Sequence, residues 1–281
     1  MRRHAGWGIL VAAALAALPQ GAATQSWRTV SMSRQASGET ALRVQVTYGA
    51  GSLHVRAAEE GLLYRMQLRY DEDAFEPRAE LSGTRLRLGV EGTGKSVRLG
   101  RRRDGGEMDL ALGRGIPMDL DMEFGAVRAD IDLAGLSLTD LALSTGASES
   151  TVDVSEPNGE SMRSASFEVG AADFTARHLG NLNARRIRVD AGIGEVKLWF
   201  NGSWRQDAEV AIKMGLGSLE LRLPEGLGVR LKKDSFLTSL DSEGMVKRGD
   251  AYYSLDWDGA ERKVTIDLEA AFGSVKVVWV R

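Results

Sequence analysis

Apolar and polar side chains alternate along most of this 281-residue chain, and the alternation is interrupted at intervals by small residues around a glycine. The unit is clearest in VDAGIGEVKLWF (189–200), IKMGLGSLELRL (212–223) and LEAAFGSVKVVWV (268–280), with weaker copies at VTYGAGSLHV (46–55), MEFGAVRADIDL (122–133), LSTGASESTVDV (143–154) and FEVGAADFTARHL (167–179). Alternation at period two marks a strand with one buried face. The pivot glycines Gly125, Gly146, Gly170, Gly194 and Gly217 lie 21, 24, 24 and 23 residues apart by subtraction, about one coil of a solenoid. One coil cannot bury its apolar face alone, but stacked coils can, with Val196, Leu198 and Phe200 or Leu219, Leu221 and Leu223 turned inward. An antiparallel sandwich with glycine turns also gives short strands at regular spacing; the recurring unit favours the solenoid.

The pattern predicts an all-β chain, a single-chain β-solenoid with an N-terminal β region. Residues 24–39 are polar and turn-rich, a linker or an extended first segment. An N-terminal β region is expected over 40–115. It alternates cleanly at 41–58 and 62–81 and places two short strands around a glycine- and arginine-rich connection within 84–116. The solenoid follows over 116–281, interrupted by a loop at 155–163 and by longer strands within 224–267. No stretch makes a convincing amphipathic helix, and 133–143 fits alternation equally well.

Composition narrows the class. With 43% hydrophobic residues the chain can build a core, and 33 glycines against 5 prolines suit turn-rich β structure. Residues 1–23 read as an export signal. Arg2 and Arg3 give a positive start, Gly8 to Leu18 an apolar run, and Gly21-Ala22-Ala23 a small-residue site cleaved near Ala23. The apolar run is short for a membrane span, and retention as an anchor is the alternative. Removing Arg2 and Arg3 takes the formal charge from −3 to −5, so no nucleic-acid partner is expected. The absence of cysteine excludes disulfides, a thiolate nucleophile and a lipid-modified cysteine. The expected location is exported, periplasmic or at the cell surface.

Several motifs could carry chemistry. Gly89-Val90-Glu91-Gly92-Thr93-Gly94-Lys95-Ser96 satisfies the phosphate-loop pattern, but the VRLGRRRDGG that follows cannot build the helix such a loop needs. A hairpin turn is the better reading, and no nucleotide or other cofactor is expected. His54 and His178 sit at strand positions without evident carboxylate partners, which suits neither a triad nor a metal site. Asp130, Asp132, Asp153, Asp173, Asp190 and Glu195 could align on neighbouring coils for polysaccharide cleavage or calcium binding; spacing by two is equally what a solvent-facing strand shows. No catalytic and no metal-ligating residues are therefore assigned. Candidate ligand- or partner-binding residues are Trp199, Trp204 and Trp257, from an aromatic concentration in the last third, and Arg101, Arg102 and Arg103, the one dense basic run. Capping of the open end of the core is an equally physical use for the aromatics. Asn201-Gly202-Ser203 fits the weak glycosylation pattern.

YGAGSLHVRAAEEGLLYRMQLRYD, MEFGAVRADIDL, IRVDAGIGEVKLWF, MGLGSLELRLPEGLGVRLK and FGSVKVVWV together span most of 42–281. In these segments the chain resembles the bacterial toast-rack group, which includes adhesin-like proteins and the C-terminal domain of LiaF-like envelope-stress regulators. The resemblance implies a β-solenoid and an exported or membrane-tethered protein, and carries over no catalytic residues. A signal-like N-terminus in place of several membrane helices departs from the LiaF-like pattern. The expected function is that of a non-enzymatic, exported cell-envelope protein, adhesin-like or an interaction scaffold, that binds a protein or glycan partner. The alternatives are an envelope-stress regulator and a polysaccharide lyase or hydrolase. Self-association through exposed strand edges is a further expectation.

Overall fold

The computed structural model describes residues 26–93 and 105–280. The export signal at 1–23, the second half of the phosphate-loop match and Arg101, Arg102 and Arg103 lie outside the described residues. Fifteen strands follow one another: β1 (Trp27–Gln35), β2 (Leu42–Ala57), β3 (Leu62–Asp71), β4 (Phe75–Ser82), β5 (Arg85–Gly92), β6 (Gly106–Leu112), β7 (Pro117–Asp132), β8 (Ser137–Asp153), β9 (Met162–Arg177), β10 (Ala184–Trp199), β11 (Ala208–Pro224), β12 (Gly228–Asp241), β13 (Met245–Arg248), β14 (Ala251–Ser254) and β15 (Lys263–Val280). A single 3₁₀ turn, Leu179–Leu182, separates β9 from β10. Among the described residues no helix is long and apolar enough to cross a membrane.

Strands β7 to β11 pair in chain order, each parallel to the next. A straight strand of 16 residues is about 50 Å long, whereas the connection between β7 and β8, residues 133–136, can reach only about 18 Å. Each long strand must therefore fold back near its middle. Direct confirmation comes from Phe167 and Phe174 of β9, whose ring centroids are 5.4 Å apart although a straight strand would separate them by about 23 Å. Every coil is thus two β arms facing each other across the core.

The fold-back requires a shift of phase. In β7 the buried positions are Met118, Leu120, Met122 and Phe124, then Val127, Ala129 and Ile131. In β9 they are Ala165, Phe167 and Val169, then Ala172, Phe174 and Ala176. A step of three at the bend, instead of two, turns the second arm's apolar set back toward the first.

Two columns of glycine run along this bend. Gly49, Gly125, Gly146, Gly170, Gly192 and Gly215 stack coil on coil, and a methyl on Gly170, Gly192 or Gly215 would lie 2.6 Å from the carbonyl oxygen of the glycine below it. Gly194, Gly217 and Gly273 form the second column, at φ 140, 144 and 137°, where a methyl would overlap the carbonyl of the preceding coil outright. This corrects the glycine register. Gly194 is level with Ala172, and it is Gly192 that continues the column of Gly170.

Both ends depart from simple stacking. The chain leaves β11, forms β12 and the β13–β14 hairpin, and returns as β15, which inserts between β11 and β12 and is parallel to both. At the other end β5 and β6 together make one split coil, pairing with the first and second halves of β2. Gly89–Gly92, expected in a hairpin turn, closes β5 as strand. Antiparallel β4 and β3 extend the split coil, and β1 edges β3, so Trp27–Gln35 within 24–39 is an extended strand and 36–39 connects it to β2.

On the side opposite the bend, buried asparagines tie the connections together. Asn158 accepts from the Leu138 N–H at 2.9 Å and donates to the carbonyls of Leu138 and Leu182. Asn181 donates to the Val154 carbonyl and accepts from the Ser203 N–H, both at 2.8 Å. Backbone groups that no ladder can reach are satisfied in this way.

Two stability predictions follow from the bend. Gly217→Ala is expected to cost at least about 3 kcal/mol, from an L residue at φ 144° together with the overlap on Gly194, read as a fall in the urea midpoint. Tyr48 is 3% exposed and its hydroxyl has no hydrogen-bond partner among the described residues. Burial, and secondarily the Glu107 carboxylate, hold its phenol well above the ordinary range. A raised phenol favours the neutral form in the folded state, so its contribution is intact below about pH 10 and is lost above it. Tyr48→Phe is expected to keep or raise stability at neutral pH by up to about 1 kcal/mol, and to lose less than the parent in alkaline unfolding.

Candidate functional site

The three tryptophans singled out from the sequence occupy three different environments. Trp199, on the outer face of the second arm of β10, lies between two guanidinium groups, Arg222 at 4.3 Å and Arg177 at 5.7 Å from its ring centroid. Register sets this stack, since Trp199 is level with Arg222 of β11. Its indole Nε1 is buried without a hydrogen-bond partner among the described residues, and the two arginines lie over the ring that a ligand would use.

Trp204 belongs to the core's closure. Its indole donates to the Phe200 carbonyl at 2.7 Å, its ring stacks on Phe200 with centroids 6.2 Å apart, and it packs against the buried cluster. Trp279 acts similarly at the far end, donating to the Glu243 carbonyl at 2.8 Å.

Trp257 is different. It is half-buried on the connection between β14 and β15, held by the edge of Tyr253 at 5.2 Å and 73° and by the Lys263 ammonium 5.1 Å from its ring. It borders an open groove whose floor is the outer face of the first arms, where Arg186, Glu209 and Thr265 lie level on β10, β11 and β15. The walls are Arg185, Gln206 and Asp207 on one side and Glu261, Arg262 and Lys263 on the other. They are fixed by short local bonds: Asp207 accepts from the Lys263 backbone N–H at 2.9 Å, Arg185 donates to the Gln206 side chain at 3.3 Å, and Gln206 donates to the Asn183 carbonyl at 2.6 Å. The groove thus has one aromatic side chain in its lining, among donors and acceptors of both charges. Next to it, Asp258 is pulled below the usual carboxylate range by its hydrogen bonds to Arg248, at 3.3 and 3.1 Å.

The acidic candidates meet only as level pairs, Asp132 with Asp153 and Asp173 with Glu195. Asp190 lies on a first arm, level with Lys213. On the second arms Asp130 is level with Thr151, Asp153 with Asp132 and Arg177, and Asp173 with Glu149 and Glu195. No two of Asp130, Asp153, Asp173 and Asp190 share a row. The histidines, however, do have carboxylate neighbours. His178 Nδ1 is 2.6 Å from Asp153, and His54 Nδ1 is 3.3 Å from Asp109. His178 is also no strand residue but the left-handed cap, φ 56°, of the 3₁₀ turn, its N–H donating to the Asn201 side chain at 3.1 Å.

The environments of Trp204 and Trp257 separate by experiment. Trp204→Ala is expected to destabilise the chain by about 2 kcal/mol or more, while Trp257→Ala leaves the denaturation midpoint within about 0.5 kcal/mol of the parent. Equal losses for both would place Trp257 in the core's closure as well.

Comparison with known proteins bears on the fold. Residues 21–177 match the family model described as the N-terminal domain of toast_rack, DUF2154. No curated protein matches the chain. Among solved structures, a "putative cell adhesion protein" from Clostridium sporogenes ATCC 15579 is 18% identical with a TM-score of 0.49, covering 91% of this chain and 100% of its own. A "putative adhesin" from Bacteroides fragilis NCTC 9343 is 8% identical with a TM-score of 0.38, covering 89% and 97%. A "putative lipid binding protein" from Parabacteroides distasonis ATCC 8503 is 8% identical with a TM-score of 0.28, covering 91% and 97%. The family match takes in β1 to β9, more than half of the chain, and with the folded-back, glycine-stacked coils it places this protein in the toast-rack family.

Proposed function

We propose that this protein is an exported, non-enzymatic, adhesin-like component of the cell envelope, and that it binds an envelope glycan along the groove beside Trp257. The observation that carries the reading is the half-buried indole of Trp257, braced by Tyr253 and Lys263 and open toward a groove lined by polar side chains. A sugar ring offers an apolar C–H face and a rim of hydroxyls. The indole suits the first; Arg186, Glu209, Thr265 and Glu261 suit the second as donors and acceptors.

Arg186, Glu209 and Thr265 stand on stacked parallel arms, and Trp257 and Glu261 on the connection beside them, the arrangement of binding residues on a loop positioned by a scaffold. The groove is open, and none of Asp130, Asp153, Asp173 and Asp190 lines it or shares a row with another of the four, which favours binding over cleavage. Export rests on the charged, apolar and small-residue sequence of residues 1–23.

The test is retention of the purified protein on immobilised polysaccharide fragments from the envelope. Trp257→Ala is expected to lower affinity about tenfold, the equivalent of one lost stacking contact of about 1.4 kcal/mol, while Trp199→Ala binds as the parent does. Undiminished binding by Trp257→Ala, turnover of the polysaccharide, or retention of protein alone would overturn the proposal.

A further inference from the structure

The outer face of the N-terminal second arms holds a cluster that the glycan groove does not use. His54 lies on β2, and Glu107 and Asp109 lie two residues apart on one face of β6; their ligand atoms all fall within 4.8 Å of one another. Parallel pairing sets this arrangement, for His54 is level with Asp109 and Ser52 with Glu107. Gly51, level with Gly106, lets the two strands approach closely at the bend, since a methyl there would overlap the Gly106 carbonyl. On the other side of His54 the level residue is Asp130 of β7, so the imidazole stands between two aspartates.

Two arginines of the neighbouring rows are engaged elsewhere. Arg69, level with Glu107, has its guanidinium 4.3 Å from the centre of the Trp27 ring and donates to the Gly105 carbonyl at 3.1 Å. Arg128, level with Ser52, pairs with Glu149 at 3.1 Å. Among the described residues neither Glu107, Asp109 nor Asp130 is ion-paired to a lysine or arginine, although that is how many acidic groups on the outer faces are matched, as in Glu195 with Lys197 and Glu269 with Lys213. An imidazole and two carboxylates converge here, and among the described residues no lysine or arginine forms an ion pair with either carboxylate.

We propose that His54, Glu107 and Asp109 bind a divalent transition-metal ion. One nitrogen and two carboxylate ligands suit Zn²⁺, Co²⁺ or Mn²⁺ better than Ca²⁺, which prefers an all-oxygen shell. Bond lengths of about 2.0–2.2 Å require the side chains to close by rotation about χ angles that solvent leaves free, with no movement of the paired backbone. The remaining coordination positions face water.

Isothermal titration of the purified protein with ZnCl₂ and CoCl₂ tests this. One ion per chain is expected, with a cobalt absorption band reporting nitrogen and oxygen ligation and CaCl₂ giving no comparable heat. His54→Ala and Glu107→Gln should each weaken binding at least about tenfold, and both substitutions fall on the solvent face and leave the core intact. His178→Ala, at the other histidine, should leave affinity unchanged. Failure to bind, binding that survives His54→Ala, or equal loss in His178→Ala would overturn the assignment.

Discussion

The whole architecture depends on how closely successive coils approach at the bend. There, over most of the two stacked columns, the carbonyl oxygen of one coil occupies the space where the next coil would carry a β-carbon, so glycine stands at those positions. Once the backbone turns at that point, a strand of 16 residues becomes two facing arms, the three-residue step returns the alternating apolar set to the inside, and connections of a few residues suffice to begin the next coil. Phe167 meeting Phe174 is the outcome in one coil. Without the bend the same alternation would describe long flat strands that four-residue connections could not join in parallel.

The connections and the outer faces are then left for other work. Asn158 and Asn181 satisfy the backbone where the ladder ends, so the connections are themselves ordered parts of the stack. Outward side chains form rows across coils, level by level, and the character of each row depends on which residues the register brings together. This is how Trp199 comes to lie between two arginines, how Trp257 finds a polar groove and how His54 meets Asp109.

Much of this was legible in the chain because it is periodic. Alternation gives the inward positions, as at Leu219, Leu221 and Leu223, and the recurring glycine gives the coil. The glycine register was not, because Gly192 and Gly194 stand two residues apart and periodicity alone gives no reason to choose between the columns. The place of β15 was not legible either, since strand order belongs to long-range pairing and a last repeat looks the same wherever it inserts. The aromatics show the same boundary. Trp199, Trp204 and Trp257 resemble one another in the sequence, and only contacts with Arg222, Phe200 and Tyr253 tell them apart. His54 and Asp109 are 55 residues apart by subtraction, so their proximity could not be read from local spacing.

The insertion of β15 between β11 and β12 also has a temporal side. As the chain emerges from its N-terminus, β7 to β11 can dock in the order in which they appear, each onto the edge left by the one before. That sequence stops at β12, whose parallel neighbour has not yet been made; it must wait through β13 and β14 until the carboxyl-terminal segment arrives and fills the slot. The topology thus permits assembly from the N-terminus for most of its course with β15 as the closing strand, and a chain cut short before residue 263 would leave the edge of β11 bare, as a template for the β strand of another molecule.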